Sequence, residues 1–279
     1  MKAMLNSLSQ INIELSSKCD KSCSFCGHQN VDINKQLEYG DIDLGLLSNI
    51  SYQLPPEIVV QFHRDGEPLV FHAVGLALRL FRRNITSIVT NGKKLVEKAI
   101  HIVGNCDTVT VSAFHGDPDG PEQLEILKEF LRIKGKSRPQ VIVKIIGDYP
   151  GHPFGDLGVP VIHRLIHNPD GNKHYAHRNP TVPEIGICLD FLSHPSIDWQ
   201  GNFYICNRLD SDRKGLLGNL NESTIDELWN GELRKSWFSE HRIGRRDLVS
   251  ACKNCNFWGV PSGYDPVEHG QRASLIHLS

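Results

Sequence analysis

Seven of the eight cysteines fall into two groups, and their spacing sets the chemistry to be explained. Cys19, Cys23 and Cys26 form a C-x3-C-x2-C run. Cys188, Cys206, Cys252 and Cys255 are spread over a later stretch that ends in C-x2-C. Thiolates are soft ligands that suit zinc and iron–sulfur clusters. Three of them can cap three irons of a [4Fe-4S] cluster, leaving the fourth iron open to a small molecule. The same run would make a zinc knuckle if His28 completed a tetrahedral set, because structural zinc takes four protein ligands. The second group is already a complete set of four thiols, which fits a closed cluster or zinc. A division into three, four and one does not suit a disulfide framework. The lone Cys106 reads as a small buried hydrophobe.

Alternating strands and helices must position these groups. Residues 11–15 alternate apolar and polar like a strand, and the first cysteine run follows at once. A helix is expected over 40–54, with Leu44, Leu46, Leu47 and Ile50 on one face. Strands are expected over 58–62, 85–89, 108–112, 141–146 and 159–166, and helices over 73–81, 95–103 and 121–133. Such alternation predicts an α/β fold with a parallel sheet, and about six units would curve into an open, partial (β/α)6 barrel. Chemistry in such sheets gathers at the C-terminal strand ends. Those ends carry His63-Arg64-Asp65-Gly66-Glu67-Pro68 and Thr90-Asn91-Gly92. Residues 167–186 hold three prolines and two glycines and show no period. A hairpin over 196–206 and a short helix over 224–230 follow. The expected organisation is a barrel over 1–170, a linker or covering loop over 171–186, a cysteine-bearing domain over 187–258 and a tail over 259–279.

The chain has 279 residues, 39% hydrophobic and 22% charged, with a formal net charge of −2. That balance is ordinary for a globular protein and implies no basic face for nucleic acid. No apolar run approaches the ~20 residues that span a bilayer, and the first ten residues lack a signal-peptide core. No membrane partner is expected, and the cytoplasm is the expected location.

The first cysteine run resembles the hallmark of the radical S-adenosylmethionine superfamily, C-x3-C-x-aromatic-C, with Phe25 at the aromatic position. Gly66-Glu67-Pro68 is similar to the Gly-Gly-Glu-Pro motif of that family, with Asp65 replacing the first glycine. The resemblance implies that the S-adenosylmethionine amine and carboxylate chelate the open iron. It implies that Glu67 accepts hydrogen bonds from the amine. Asn91 and Ser112 would lie near the ribose or the carboxylate, Lys144 would offset the carboxylate charge, and backbone near Phe25 would meet the adenine. Cys188-x12-Gly201-x4-Cys206, with Gly218-Asn219-Leu220 and Thr224 to Asn230, resembles the SPASM and shorter twitch domains that follow such barrels. Four cysteines fit the twitch form, with one auxiliary [4Fe-4S] cluster.

The resemblance further implies a small-molecule substrate of aminocyclitol or sugar type, and a reductant such as flavodoxin or ferredoxin. Hydrogen abstraction beside a hydroxyl, followed by loss of a proton and an electron, yields a ketone. The length and cysteine plan are similar to those of twitch-type aminocyclitol dehydrogenases. Epimerisation would need a hydrogen donor, and the one spare thiol, Cys106, precedes the fourth strand. Peptide modification is the third option; the first strand begins near residue 10, which leaves no room for an N-terminal leader-binding domain. A zinc-binding interaction protein is the alternative outside enzymes. Candidate substrate residues at strand exits are His63, Arg64, His115, Arg164 and His167, with His174 and His177 in the linker. A histidine or Lys144 would serve as general base.

Overall fold

The computed structural model describes residues 8–23, 25–26, 38–164, 187–207, 212–253, 255 and 276–277. His28, His167, His174, His177 and the linker over 171–186 lie outside them. Six strands run parallel in chain order: β1 (Gln10–Ile13), β2 (Val59–Phe62), β3 (Ile85–Thr90), β4 (Thr108–Phe114), β5 (Gln140–Ile146) and β6 (Val161–Arg164). The expected parallel α/β sheet is present. Between the strands lie α1 (Leu44–Gln53), α2 (Val74–Leu80), α3 (Ala99–Ile102) and α4 (Gly120–Lys134).

Local sequence explains where these helices start and stop. The Asp43 side chain accepts from the Leu46 amide at 2.9 Å and caps α1. Pro121 opens α4, and Gly135, with φ of 51°, closes it where a side chain would be strained. The helix expected over 95–103 shortens to α3, because residues 93–98 turn repeatedly on leaving Gly92. In β4, Val109, Val111 and Ala113 are buried, whereas Thr110, Ser112 and Phe114 alternate onto the other face. A Cβ on Gly92 would meet both Val111 and Gln123 of α4, so the buried face of β4 is the one under the helix. Ser112 therefore faces the barrel lumen.

The sheet continues past β1, which the sequence reading does not anticipate. After α5 (Leu189–Ser193), β7 (Ser196–Ile197) pairs parallel with β1, and β8 (Asn202–Tyr204) and β9 (Leu216–Asn219) follow antiparallel. The hairpin expected at 196–206 is there, but it joins the barrel sheet. The reason lies in the β1 edge, whose amides need acceptors. Asn12 donates to the Pro195 carbonyl at 3.0 Å and Glu14 to the Ile197 carbonyl at 2.9 Å. Beyond β9, α6 (Ile225–Trp229) opens on a capping box between Thr224 and Glu227, and α7 (Glu232–Arg242) follows it. On the far edge, β10 (Ile276–His277) pairs antiparallel with β6, within what the sequence reads as a tail.

Cys106 sits at the N-terminal end of β4, fully buried, with its thiol donating to the Thr108 carbonyl at 3.1 Å. Burial pushes that thiol up to about 12. It is a packing residue at the end of the sheet opposite the strand exits. Cys106→Ala is expected to cost about 1 kcal/mol of stability and to leave product formation intact. Complete loss of turnover with full iron content would refute this placement.

Candidate active site

The first cysteine loop leaves β1 and is held against the exits of β2, β3 and β4. The Cys26 amide donates to the Cys23 carbonyl at 3.0 Å, which turns these two thiols on one tight bend. Burial raises both Cys19 and Cys23, Cys23 to about 11, and the charge of Cys26 adds to each. Lys21, between them, is buried against Asp117 in the loop after β4. Phe25 meets Phe114 edge-on, with ring centroids 4.8 Å apart. These two contacts moor the cysteine loop to the end of β4.

Gly66 and Glu67 form the second wall. A Cβ on Gly66 would lie 2.1 Å from the Ser16 carbonyl oxygen, so only glycine lets the loop pass this close. The Glu67 amide then donates to the Lys18 carbonyl at 2.9 Å. At Asp65, by contrast, the backbone is not left-handed. The amides of Asp65 and Gly66 donate to Glu14 Oε1 at 3.1 and 3.2 Å. A side chain is tolerated at position 65, which accounts for the departure from the family motif.

The Glu67 carboxylate is buried and accepts from the Leu69 amide (2.9 Å), the Thr90 hydroxyl (2.7 Å) and the Asn91 amide (2.7 Å). A carboxylate offers about four acceptor positions, so one remains. Asn91 reaches back to the first loop: its Nδ2 donates to Asp20 at 2.7 Å and lies 3.9 Å from Cys19 Sγ. Gln123, which the sequence reading passes over, donates to the carbonyls of Asn91 (2.5 Å) and Ser112 (2.9 Å) and ties the exits of β3 and β4. Its signal is a polar residue in the buried stripe Gln123, Leu127, Phe130 of α4.

Burial raises Glu67 to about 7, and burial followed by the charge of Asp65 raises Glu14 to about 7. An acid raised in the fold keeps its proton after the unfolded chain has lost it, so stability falls as pH rises from about 4.5 to about 7. Each such acid costs on the order of 3 kcal/mol above that window. His241, held down to about 4 by burial, works the other way below 6.5. The iron-free protein is expected to lose on the order of 3 kcal/mol net between pH 5 and pH 8. Urea unfolding across that range measures it, and a flat or rising profile would contradict the assignment.

In the lumen, Ser112 of β4 stands laterally beside Lys144 of β5. Neither side chain makes a hydrogen bond or ion pair to another described residue. Burial and the nearby positive charge of Arg164 lower Lys144 to about 8. Arg164 and His115 are exposed, His115 with its ring edge on Tyr149. His63 is half-buried, and its amide donates to the Ile13 carbonyl. Arg64, expected as a substrate contact, is engaged within the protein. Its side chain is only 7% exposed and is committed to Asp65 at 2.9 Å, to Ser196 and to the face of Tyr204. Arg64 is paired with Asp65 and feels the charges of Glu14 and Asp198 at the junction with β7 and β8.

Of the second thiol group, Cys206 adjoins that junction, its carbonyl accepting from the Ser196 hydroxyl at 2.8 Å. Cys188 precedes α5, Cys206 follows β8, and the Cys255 amide donates to the Cys252 carbonyl at 3.0 Å, repeating the Cys23–Cys26 bend. None of the eight cysteines is in a disulfide. Among the described residues, no three His, Cys, Asp or Glu side chains stand close enough to hold one metal ion. The donor sets themselves, three and four soft thiols, with Cys23–Cys26 and Cys252–Cys255 each on a short bend, have the chemistry that fits iron–sulfur clusters. Among the described residues, no helix is long and apolar enough to cross a membrane.

Residues 188–256 match SPASM, an iron–sulfur cluster-binding domain. The chain is 24% identical over 256 residues to the S-adenosyl-L-methionine-dependent 2-deoxy-scyllo-inosamine dehydrogenase of Niallia circulans, covering 89% of this chain and 92% of the relative. The structure of BtrN in complex with AdoMet and 2-DOIA aligns over 100% of both chains, with a TM-score of 0.55 and 18% identity. Native anSMEcpe with bound AdoMet aligns over 85% of this chain and 84% of its own, with a TM-score of 0.55 and 14% identity. At these identities the solved structures speak for the fold. The chain thus shares the α/β fold of these S-adenosylmethionine-bound structures, with a stretch over 188–256 that matches an iron–sulfur cluster-binding domain.

Proposed function

We propose that this protein is a radical S-adenosylmethionine dehydrogenase that oxidises a secondary hydroxyl of a small aminocyclitol or sugar-like substrate to a ketone. The observation that carries this reading is the meeting of Cys19, Gly66-Glu67 and Asn91 at the exits of β1, β2 and β3. Cys19, Cys23 and Cys26 would hold the first [4Fe-4S] cluster, and Cys188, Cys206, Cys252 and Cys255 the auxiliary one. With S-adenosylmethionine bound and an electron from a flavodoxin- or ferredoxin-type reductant, this chemistry supplies a 5′-deoxyadenosyl radical that takes a hydrogen atom from the substrate.

The remaining work falls to the chain's own residues. Glu67 keeps one acceptor position for the methionine ammonium, and pairing there would hold the carboxylate ionised. Lys144 and Ser112 supply a cation and a hydroxyl side by side in the lumen, suited to the methionine carboxylate. Backbone beside Phe25 is held by the Phe114 contact where the adenine would lie. Oxidation to the ketone also requires a base for the hydroxyl proton; His63 is the candidate when Lys144 is the cation on the methionine carboxylate, and neutral Lys144 when it is not. The four protein thiolates of the second set leave no iron for substrate, which suits that cluster to accept the remaining electron.

The test is the reconstituted enzyme with candidate aminocyclitols, sugars and peptides, each deuterated at the reacting carbon. Loss of two hydrogens from the substrate, with deuterium in 5′-deoxyadenosine, supports dehydrogenation. Unchanged substrate mass with solvent deuterium uptake would indicate epimerisation and overturn the reading. A colourless protein carrying zinc would overturn the enzyme itself.

A further inference from the structure

A buried polar chain runs from the barrel to the second cysteine group through Arg64. Asp65 pairs with this guanidinium at 2.9 Å, and the charges of Glu14 and Asp198 also act on it. Glu14 spans the junction: Oε1 accepts from the amides of Asp65 and Gly66, and Oε2 accepts from the Trp199 amide at 3.2 Å. Asp198 is tied into the hairpin, accepting from Asn202 Nδ2 at 2.9 Å and from the Tyr204 hydroxyl at 3.1 Å. Arg64 lies over the Tyr204 ring, 4.5 Å from its centroid. Its Nε donates to Ser196 Oγ at 3.4 Å, and that hydroxyl donates to the Cys206 carbonyl at 2.8 Å. The guanidinium is thus two hydrogen bonds from the peptide of a thiol in the second set. Its chain neighbours Asp65 and Gly66 line the first cysteine loop.

We propose that Arg64 is a positioning residue that tunes the auxiliary cluster through Ser196, raising its affinity for an electron. The proposal rests on the reading of residues 188–256 as a cluster domain. Accepting an electron makes a cluster more negative. A buried positive charge and a polarised hydroxyl directed at the peptide of one ligand stabilise that state. Arg64 is the cation the structure places in this junction, and Lys would not replace it fully, because the contact uses the Nε edge and the flat face together.

The experiment is an EPR-monitored redox titration of the full chain, reconstituted anaerobically in a Cys19→Ala, Cys23→Ala, Cys26→Ala background so that only the second cluster reports. Arg64→Met is expected to disfavour reduction about tenfold, which for a one-electron couple is about 59 mV downward. Ser196→Ala, which keeps the charge and removes the link, is expected to shift the potential less, in the same direction. Arg64→Lys should fall between Arg64→Met and the parent. Removing the guanidinium leaves Asp65 unpaired beside the buried Glu14 and Asp198, so if Arg64→Met does not fold, Ser196→Ala decides. Potentials unmoved in the folded variants, with iron content intact, overturn the role of Arg64 and leave the cluster domain standing. A parent that takes up no iron at the second set overturns both.

Discussion

Cys23→Ala is expected to abolish 5′-deoxyadenosine formation and to lower the iron content from the about eight atoms expected for two clusters to about four. The thiol lies on the bend closed by the Cys26 amide on the Cys23 carbonyl, a backbone contact the substitution keeps. The loop remains moored by Lys21 on Asp117 and Phe25 on Phe114. The lost group is therefore the ligand and little else, and two thiols on a half-exposed loop do not retain a four-iron cluster. Cys252→Ala separates the two sets. It should also lose about four irons but keep the cleavage of S-adenosylmethionine, while ketone formation stops. Iron analysis and chromatography of 5′-deoxyadenosine measure both variants. Full iron in Cys23→Ala, with cleavage unchanged, would remove the first cluster from this loop.

Glu67→Gln is expected to impair the protein twice over. The wild-type carboxylate satisfies Leu69, Thr90 and Asn91 together. A carboxamide has one oxygen, so its NH2 must face one of those donors, and a buried unsatisfied donor costs about 1–3 kcal/mol. That cost appears as a lowered urea midpoint. The second effect is on binding: the acceptor position that remains for an ammonium is lost, and the Asn91 loop that reaches Cys19 loosens. The apparent affinity for S-adenosylmethionine is expected to fall at least about tenfold, corresponding to the ~1.4 kcal/mol of one charge-assisted hydrogen bond. Glu67→Asp keeps the charge but draws the carboxylate back, and should recover part of the stability and less of the binding. Native affinity in a folded Glu67→Gln would assign Glu67 to packing alone.

The elements that read clearly in the sequence are those whose signals are local. Period-two strands, Asp43 as a cap and Pro121 and Gly135 at the ends of α4 are decided within a few residues. The cysteine groups are equally legible, because ligand type and spacing act over one loop. The setting of Arg64 is not legible in the sequence for the opposite reason. A cation at a strand exit looks like a substrate contact until its neighbours are known, and those neighbours, Ser196 and Tyr204, are more than 130 positions away. Gln123 and Lys21 were passed over because each acts by joining two exits that lie apart in the chain.

By itself, then, the sequence of this protein determined that Cys19, Cys23 and Cys26 follow the first strand, that Gly66-Glu67-Pro68 follows the second and that four further thiols stand at 188, 206, 252 and 255. The tertiary structure alone decided that β7 completes the open edge of β1, so that the strand before the first thiol run and the hairpin before Cys206 share one sheet, with Glu14 and Arg64 buried at their junction. The physical reason is that thiol identity is a property of single residues. The pairing of an unsatisfied strand edge, and the charges of three carboxylates acting on one guanidinium, exist only once distant segments have been brought together and water excluded.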